Sequence, residues 1–122
     1  MFAERHVVSV TTDSGGAATV YSPVVTGAVI AIHYVKTDFT DGVDFTITSE
    51  ATGQSLWTQV DQNASAVKCP RQPTHDGVGV ASLYAVTGEP VEDRIVLAKD
   101  RVKIVIASGG VSKTGTFHIV IG

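Results

Sequence analysis

The sequence predicts an all-β fold: a single-domain antiparallel β-sandwich, jelly-roll-like, over residues 1–122. Three observations predict it. Short β-branched runs of alternating polarity recur along the chain, separated by Gly, Pro, Asn and Asp. No stretch of useful length carries the three-to-four-residue apolar spacing of an amphipathic helix. The 122 residues are enough for one core and too few for two.

Each element follows from local pattern. Glu4 to Thr12 is β-branched and roughly alternating, and Asp13-Ser14-Gly15-Gly16 is a strong turn. Ala17 to Ser22 returns as a second strand and stops at Pro23, so the two predict a hairpin with Val8, Val10, Ala18 and Val20 in the core. Val29 to Val35 is apolar on both faces, which predicts a central strand. Thr37 to Gly42 is a loop closed by Asp-Gly. Val43 to Ser49 follows with Val43, Phe45 and Ile47 inward. After the turn at Ala51–Gln54, Ser55 to Val60 carries Leu56 and the single Trp57. From Asp61 to Gly79 the pattern lapses, with room for a short strand around Ala66–Cys69. Val80 to Ala85 and Ile95 to Leu97 read as two further short strands.

The last twenty-odd residues carry the clearest pattern. Val102, Ile104 and Ile106 share one face of a strand, and Phe117, Ile119 and Ile121 share one face of another. The Gly/Ser-rich segment between them predicts a C-terminal antiparallel hairpin. With that hairpin one residue from the end, no tail is expected for a separate activity. The count is about seven to nine short strands, the signature of a sandwich or barrel.

Composition narrows the function classes. Hydrophobic residues are 43% and charged residues 17%, which argues against disorder and for extensive burial or a partner surface. Net charge is −3 with no basic cluster, which disfavours nucleic acid or an anionic membrane as partner. No apolar run approaches the ~20 residues of a spanning helix. The single cysteine, Cys69, excludes an intramolecular disulfide. Asn63-Ala64-Ser65 matches a glycosylation sequon, but no secretory signal precedes it.

Chemistry-bearing residues are sparse. Asp38, Asp41 and Asp44 are spaced by three around Gly42, unlike the alternate positions of a calcium loop, so turn formation is the favoured role and no metal is expected. His6, His33, His75 and His118 form no close-spaced ligand pair. His75-Asp76 has no accompanying nucleophile motif, and nothing local activates Cys69. Gly109-Gly110-Val111-Ser112-Lys113-Thr114 lacks the Gly before Lys and the following helix of a phosphate-binding loop. The expectation is therefore no enzyme, no catalytic residue, no cofactor and no small-molecule substrate. Trp57 beside Leu56 puts two large side chains on opposite faces of one strand, one of which is a candidate aromatic anchor. The loop from Cys69 to Gly77, with Arg71, Pro73 and His75, is a candidate partner-contacting excursion.

Three stretches carry a family resemblance: Thr19 to Gly27, Val43 to Gly53, and Ile104 to Val120. With them the chain resembles the head decoration proteins of tailed bacteriophages, also described as cement or minor capsid proteins. The likeness spans nearly the whole length and rests on fold-like motifs, with no catalytic residues to carry over. It implies a virion component on the outer capsid surface, assembled in the bacterial cytoplasm, whose partners are the major capsid protein and two further copies in a trimer. The alternatives are a tail, neck or adaptor component, or a host-surface module in which Trp57, Tyr21, Tyr34 and Tyr84 stack on sugars.

Overall fold

The computed structural model describes residues 2–122, which form ten strands and no helix. Six strands build one sheet: β1 (Glu4–Thr11), β3 (Val25–Lys36), β6 (Ala66–Lys68), β7 (Arg71–Pro73), β8 (Glu92–Asp100) and β10 (Thr114–Ile121). Their order is β1-β10-β3-β8-β7, with β6 also on β3. Four strands build the second: β2 (Ala18–Tyr21), β4 (Asp44–Ser49), β5 (Ser55–Gln59) and β9 (Val102–Ala107), in the order β2-β9-β4-β5. Every pairing is antiparallel.

The core lies between the sheets because strand alternation sends every second side chain there. From the larger sheet come Val8, Val10, Ile32, Tyr34, Ile95, Leu97, Phe117 and Ile119; from the smaller come Phe45, Ile47, Val102, Ile104 and Ile106. Aromatic rings tie the layers together. Phe45 stands edge-on to Phe117 at 5.3 Å and to Trp57 at 4.9 Å, and Tyr34 lies 5.2 Å from both Phe45 and Phe117. Phe39, in the loop after β3, is buried against Gly115, where a Cβ would come within 2.4 Å of its ring. Gly115 is thus glycine to make room for that ring.

The central role of Val29 to Val35 holds: β3 pairs with β10, β8 and β6. A register shift between Val120 and Ile121 moves its inward positions from Val29 to Ile32 and Tyr34, so both parities of the strand bury apolar residues. Inward Val43, Phe45 and Ile47 also hold, as does the short strand at Ala66–Lys68.

Connectivity departs from the expectation in three places. The C-terminal hairpin is not formed: β9 belongs to the four-stranded sheet and β10 to the six-stranded one. Ser108, Gly110 and Ser112 take positive φ, and the connector crosses the end of the sandwich, where Gly109 N–H donates to Gly16 O and Thr40 N–H donates to Gly109 O. The N-terminal hairpin is corrected likewise, since β1 pairs with β10 and β2 with β9. Asp13 Oδ1 accepts the N–H groups of Gly15 and Ala17 and shapes that crossing. The third departure is Val80 to Ala85, which forms no strand of either sheet. It belongs to an excursion held by isolated bridges, His75 to Ala81 and Leu83 to Pro90. The short strand expected at Ile95–Leu97 extends to all of β8.

The crossing between sheets from β8 to β9 turns at Asp100. Its carboxylate accepts the Ser49 hydroxyl and the N–H groups of Ala51 and Arg101, at 3.0 and 2.7 Å for the latter two. Arg101 then pairs with Glu50 and stacks over Tyr21, its guanidinium carbon 4.2 Å from the ring centre.

Candidate functional site

The residues singled out in the sequence separate into core and surface. Trp57 is 5% exposed, packed edge-on against Phe45, with its indole N–H 3.3 Å from Gln59 Oε1. This corrects the surface-anchor reading. A register shift between Ile47 and Thr48 in the pairing of β4 with β5 leaves Leu56 and Trp57 both buried on one short strand. Tyr34 is buried as well, and Tyr21 is covered on one face by Arg101. Of the four aromatic residues that could stack on a sugar, Tyr84 alone is largely exposed.

Arg71, Pro73 and His75 are brought together and exposed. Arg71 and Pro73 are the first and last residues of β7, opposite Arg94 and Glu92. His75 stands two residues on, at the root of the excursion. Arg71 also borders an open groove of about 640 Å³ between β5 and the β6–β7 edge, with Gln59, Lys68 and Glu92 on its walls.

The excursion from Thr74 to Val91 is an ordered arm. β8 pairs with β3 only as far as Ile95 and Val29; beyond it, β6 takes the place beside β3 at Ile32 to Tyr34. The strands leading into the arm are therefore pushed off the sheet edge. Internal hydrogen bonds hold it: Thr74 N–H to Val91 O, Val91 N–H to Ser82 O, and Tyr84 N–H to Glu89 O. At its first turn Asp76 Oδ1 accepts the N–H groups of Val78 and Val80, which holds this carboxyl below the usual range. Asp76 thus shapes the turn that opens the arm. The arm's apolar side chains face solvent: Val78 is 84% exposed, Tyr84 76% and Val86 95%.

The second unusual surface is the outer face of the six-stranded sheet. Val7, Val35, Val67 and Val96 are all exposed there. His118 lies directly between Val7 and His33 in register, and His33 next to Val67, so a valine–histidine row crosses four strands. Arg5 joins the two histidines at one end of a shallow depression. By strand alternation Arg94 shares the face with Val96. Among the described residues, Arg5, Arg71 and Arg94 have no carboxylate within ion-pair distance. The outer face of the other sheet differs: Thr19, Thr46, Thr48 and Thr58 dominate it, with Asp44 and Lys103.

No family model matches the chain, and no curated protein matches it.

The remaining candidates have local structural roles. Asp38 Oδ1 accepts both the N–H and the hydroxyl of Thr114, which lowers its pKa; Asp41 pairs with Lys36 at 3.0 Å; Asp44 accepts the N–H of Asp61. Among the described residues no three His, Cys, Asp or Glu side chains gather as metal ligands. Within the sequon, Asn63 accepts the Gly42 N–H and Ser65 the Lys36 N–H, so both residues pin loops. Cys69 is exposed beside the groove. The sequence reading missed the arm's exposure because Val78, Val80, Leu83, Tyr84 and Val86 resemble a buried strand in composition. The signal that could have found it was the turn residues Asp76-Gly77, Gly79 and Gly88-Glu89-Pro90 breaking that run every few positions.

Proposed function

We propose that this protein is a structural component of a tailed-phage virion that attaches to the outer capsid surface and stabilises contacts between capsomers. One observation carries the reading beyond the family resemblance: an ordered, hydrogen-bonded arm holds Val78, Tyr84 and Val86 in water. A contiguous set of apolar side chains held out by a hydrogen-bonded arm marks a surface that something else covers. Coverage by a neighbouring subunit on the shell, whether a capsomer or another copy of this chain, is such a use, and repeated weak attachment over a symmetric shell adds up through effective concentration.

The test is sedimentation of the purified protein with intact phage heads lacking it. Saturable binding at a copy number near that of the major shell protein, with heads better able to survive heating or loss of salt, is the expected result. Binding at a few rings' worth per particle would move the assignment to the neck or tail. No binding to heads, with glycan-dependent fluorescence changes instead, would replace it with a host-surface module. Arg71→Ala and His75→Ala probe the base of the arm; unchanged head binding in both removes these residues from the contact.

A further inference from the structure

We infer that the arm of one copy docks on the outer valine–histidine face of the six-stranded sheet of a second copy, head to tail. Two properties make the surfaces complementary. Both are apolar: the arm offers Val78, Val80, Tyr84 and Val86, and the face offers Val7, Val35, Val67 and Val96, all at least 42% exposed. Their charges are also opposite. From Thr74 to Val91 the chain carries Asp76 and Glu89 and no Lys or Arg. The face carries the cations Arg5 and Arg94 beside His33 and His118; the one carboxylate that strand alternation places with Arg94 is Glu92, at the end of β8 opposite Pro73.

The arginines sharpen the argument. Arg71 and Arg94 stand directly opposite each other on β7 and β8, an arrangement that costs stability unless a carboxylate lies between or over them. No ion pair within the protomer supplies one among the described residues. A face-to-face contact between two copies would set these cations against their own kind. An arm bearing Asp76 and Glu89 removes that conflict.

Geometry favours the exchange over self-docking. The arm leaves the sheet at the β7–β8 edge, and its side chains remain exposed rather than folded over their own sheet. An arm at one edge and an acceptor extending to β1 at the other give each copy a donor and an acceptor. Such heterologous contacts close into a ring when the rotation allows. A ring would present the remaining surface of each copy several times to a symmetric shell. The inference rests on these surfaces alone and does not require the virion reading.

The experiment is light scattering behind size exclusion on three proteins: wild type, an arm variant (Tyr84→Lys with Val86→Lys) and a face variant (Val7→Lys with Val35→Lys). None of the four positions belongs to the core cluster, and circular dichroism checks that each variant folds. Wild type is expected to form a closed oligomer of defined mass. Each variant alone is expected to be monomeric, with self-association weakened at least about tenfold. An equimolar mixture of the two is expected to give a one-to-one dimer, since one intact arm then meets one intact face. A monomeric wild type overturns the inference. So does an oligomer that survives either pair of substitutions, or a mixture that stays monomeric, which would mean that like surfaces pair with like. Head binding by a wild-type monomer would sink this inference and leave the capsid reading standing; an oligomer that ignores heads would do the reverse.

Discussion

Two buried polar groups behave in opposite ways. The Tyr34 phenol lies in the aromatic core, with no hydrogen-bond partner for its oxygen among the described residues, and burial raises its pKa. A buried hydroxyl without a partner costs more than it contributes. Tyr34→Phe is therefore expected to leave the fold unchanged and to hold or raise stability by about 1 kcal/mol, read from the urea midpoint at constant slope. Asp100 is the converse. Its hydrogen bond from Ser49, and those from the Ala51 and Arg101 N–H groups, hold its pKa below the ordinary value. A carboxyl depressed in the folded state stabilises the fold above its unfolded pKa of about 3.9, and that contribution fades as pH falls through the folded value. Asp100→Asn should lower the melting temperature at pH 7 and flatten its decline below about pH 4. A parallel decline in both proteins would remove Asp100 as a source of acid sensitivity. Neither residue's role was legible in the sequence. Tyr34 sits in an apolar run and Asp100 at an apparent turn, and hydrogen-bond partners 49 and 51 residues away leave no local trace.

At the scale of elements, most strands were legible and their partners were not. Val102, Ile104 and Ile106 and then Phe117, Ile119 and Ile121 alternate as the halves of a hairpin would. A crossing between facing sheets demands the same alternation, because in both cases every second side chain enters one core. Only the connector distinguishes them, and its left-handed Ser108 and Ser112 are residues whose sequence gives little warning of positive φ. Engineered cysteines separate the topologies in a Cys69→Ser background. Ser9→Cys with Thr116→Cys places thiols at directly opposite positions of β1 and β10, and a disulfide is expected on oxidation. Val105→Cys with Thr116→Cys places them on the outer faces of different sheets, too far apart to bridge within one chain. An intramolecular bridge in the second pair would restore the hairpin.

The whole molecule is asymmetric: one outer face rich in threonine, the other in valine, histidine and arginine, with an arm rooted beside the second. Overall hydrophobicity pointed to a partner surface, but composition cannot say where exposed valines gather; pairing does. No residue from Thr74 to Val91 enters the core cluster. Replacing residues 76–89 by a two-residue Asn-Gly turn is thus expected to change unfolding free energy by no more than about 1 kcal/mol while abolishing self-association. Thermal unfolding and light scattering on the same sample check both halves. A large loss of stability would make the arm part of the fold and not an appendage.

Among the described residues β1 finds its only sheet neighbour in β10, and β10 lies between β1 and β3. During translation, then, β1 waits about a hundred residues for its partner, or roughly 5–20 s at ordinary elongation rates. In that interval β1 and one side of β3 are open edges carrying Val8, Val10, Ile32 and Tyr34. Unlike a chain of successive hairpins, this nascent polypeptide cannot close its larger sheet piecemeal. Its yield in the cell therefore depends on whatever shields those edges until β10 is synthesised.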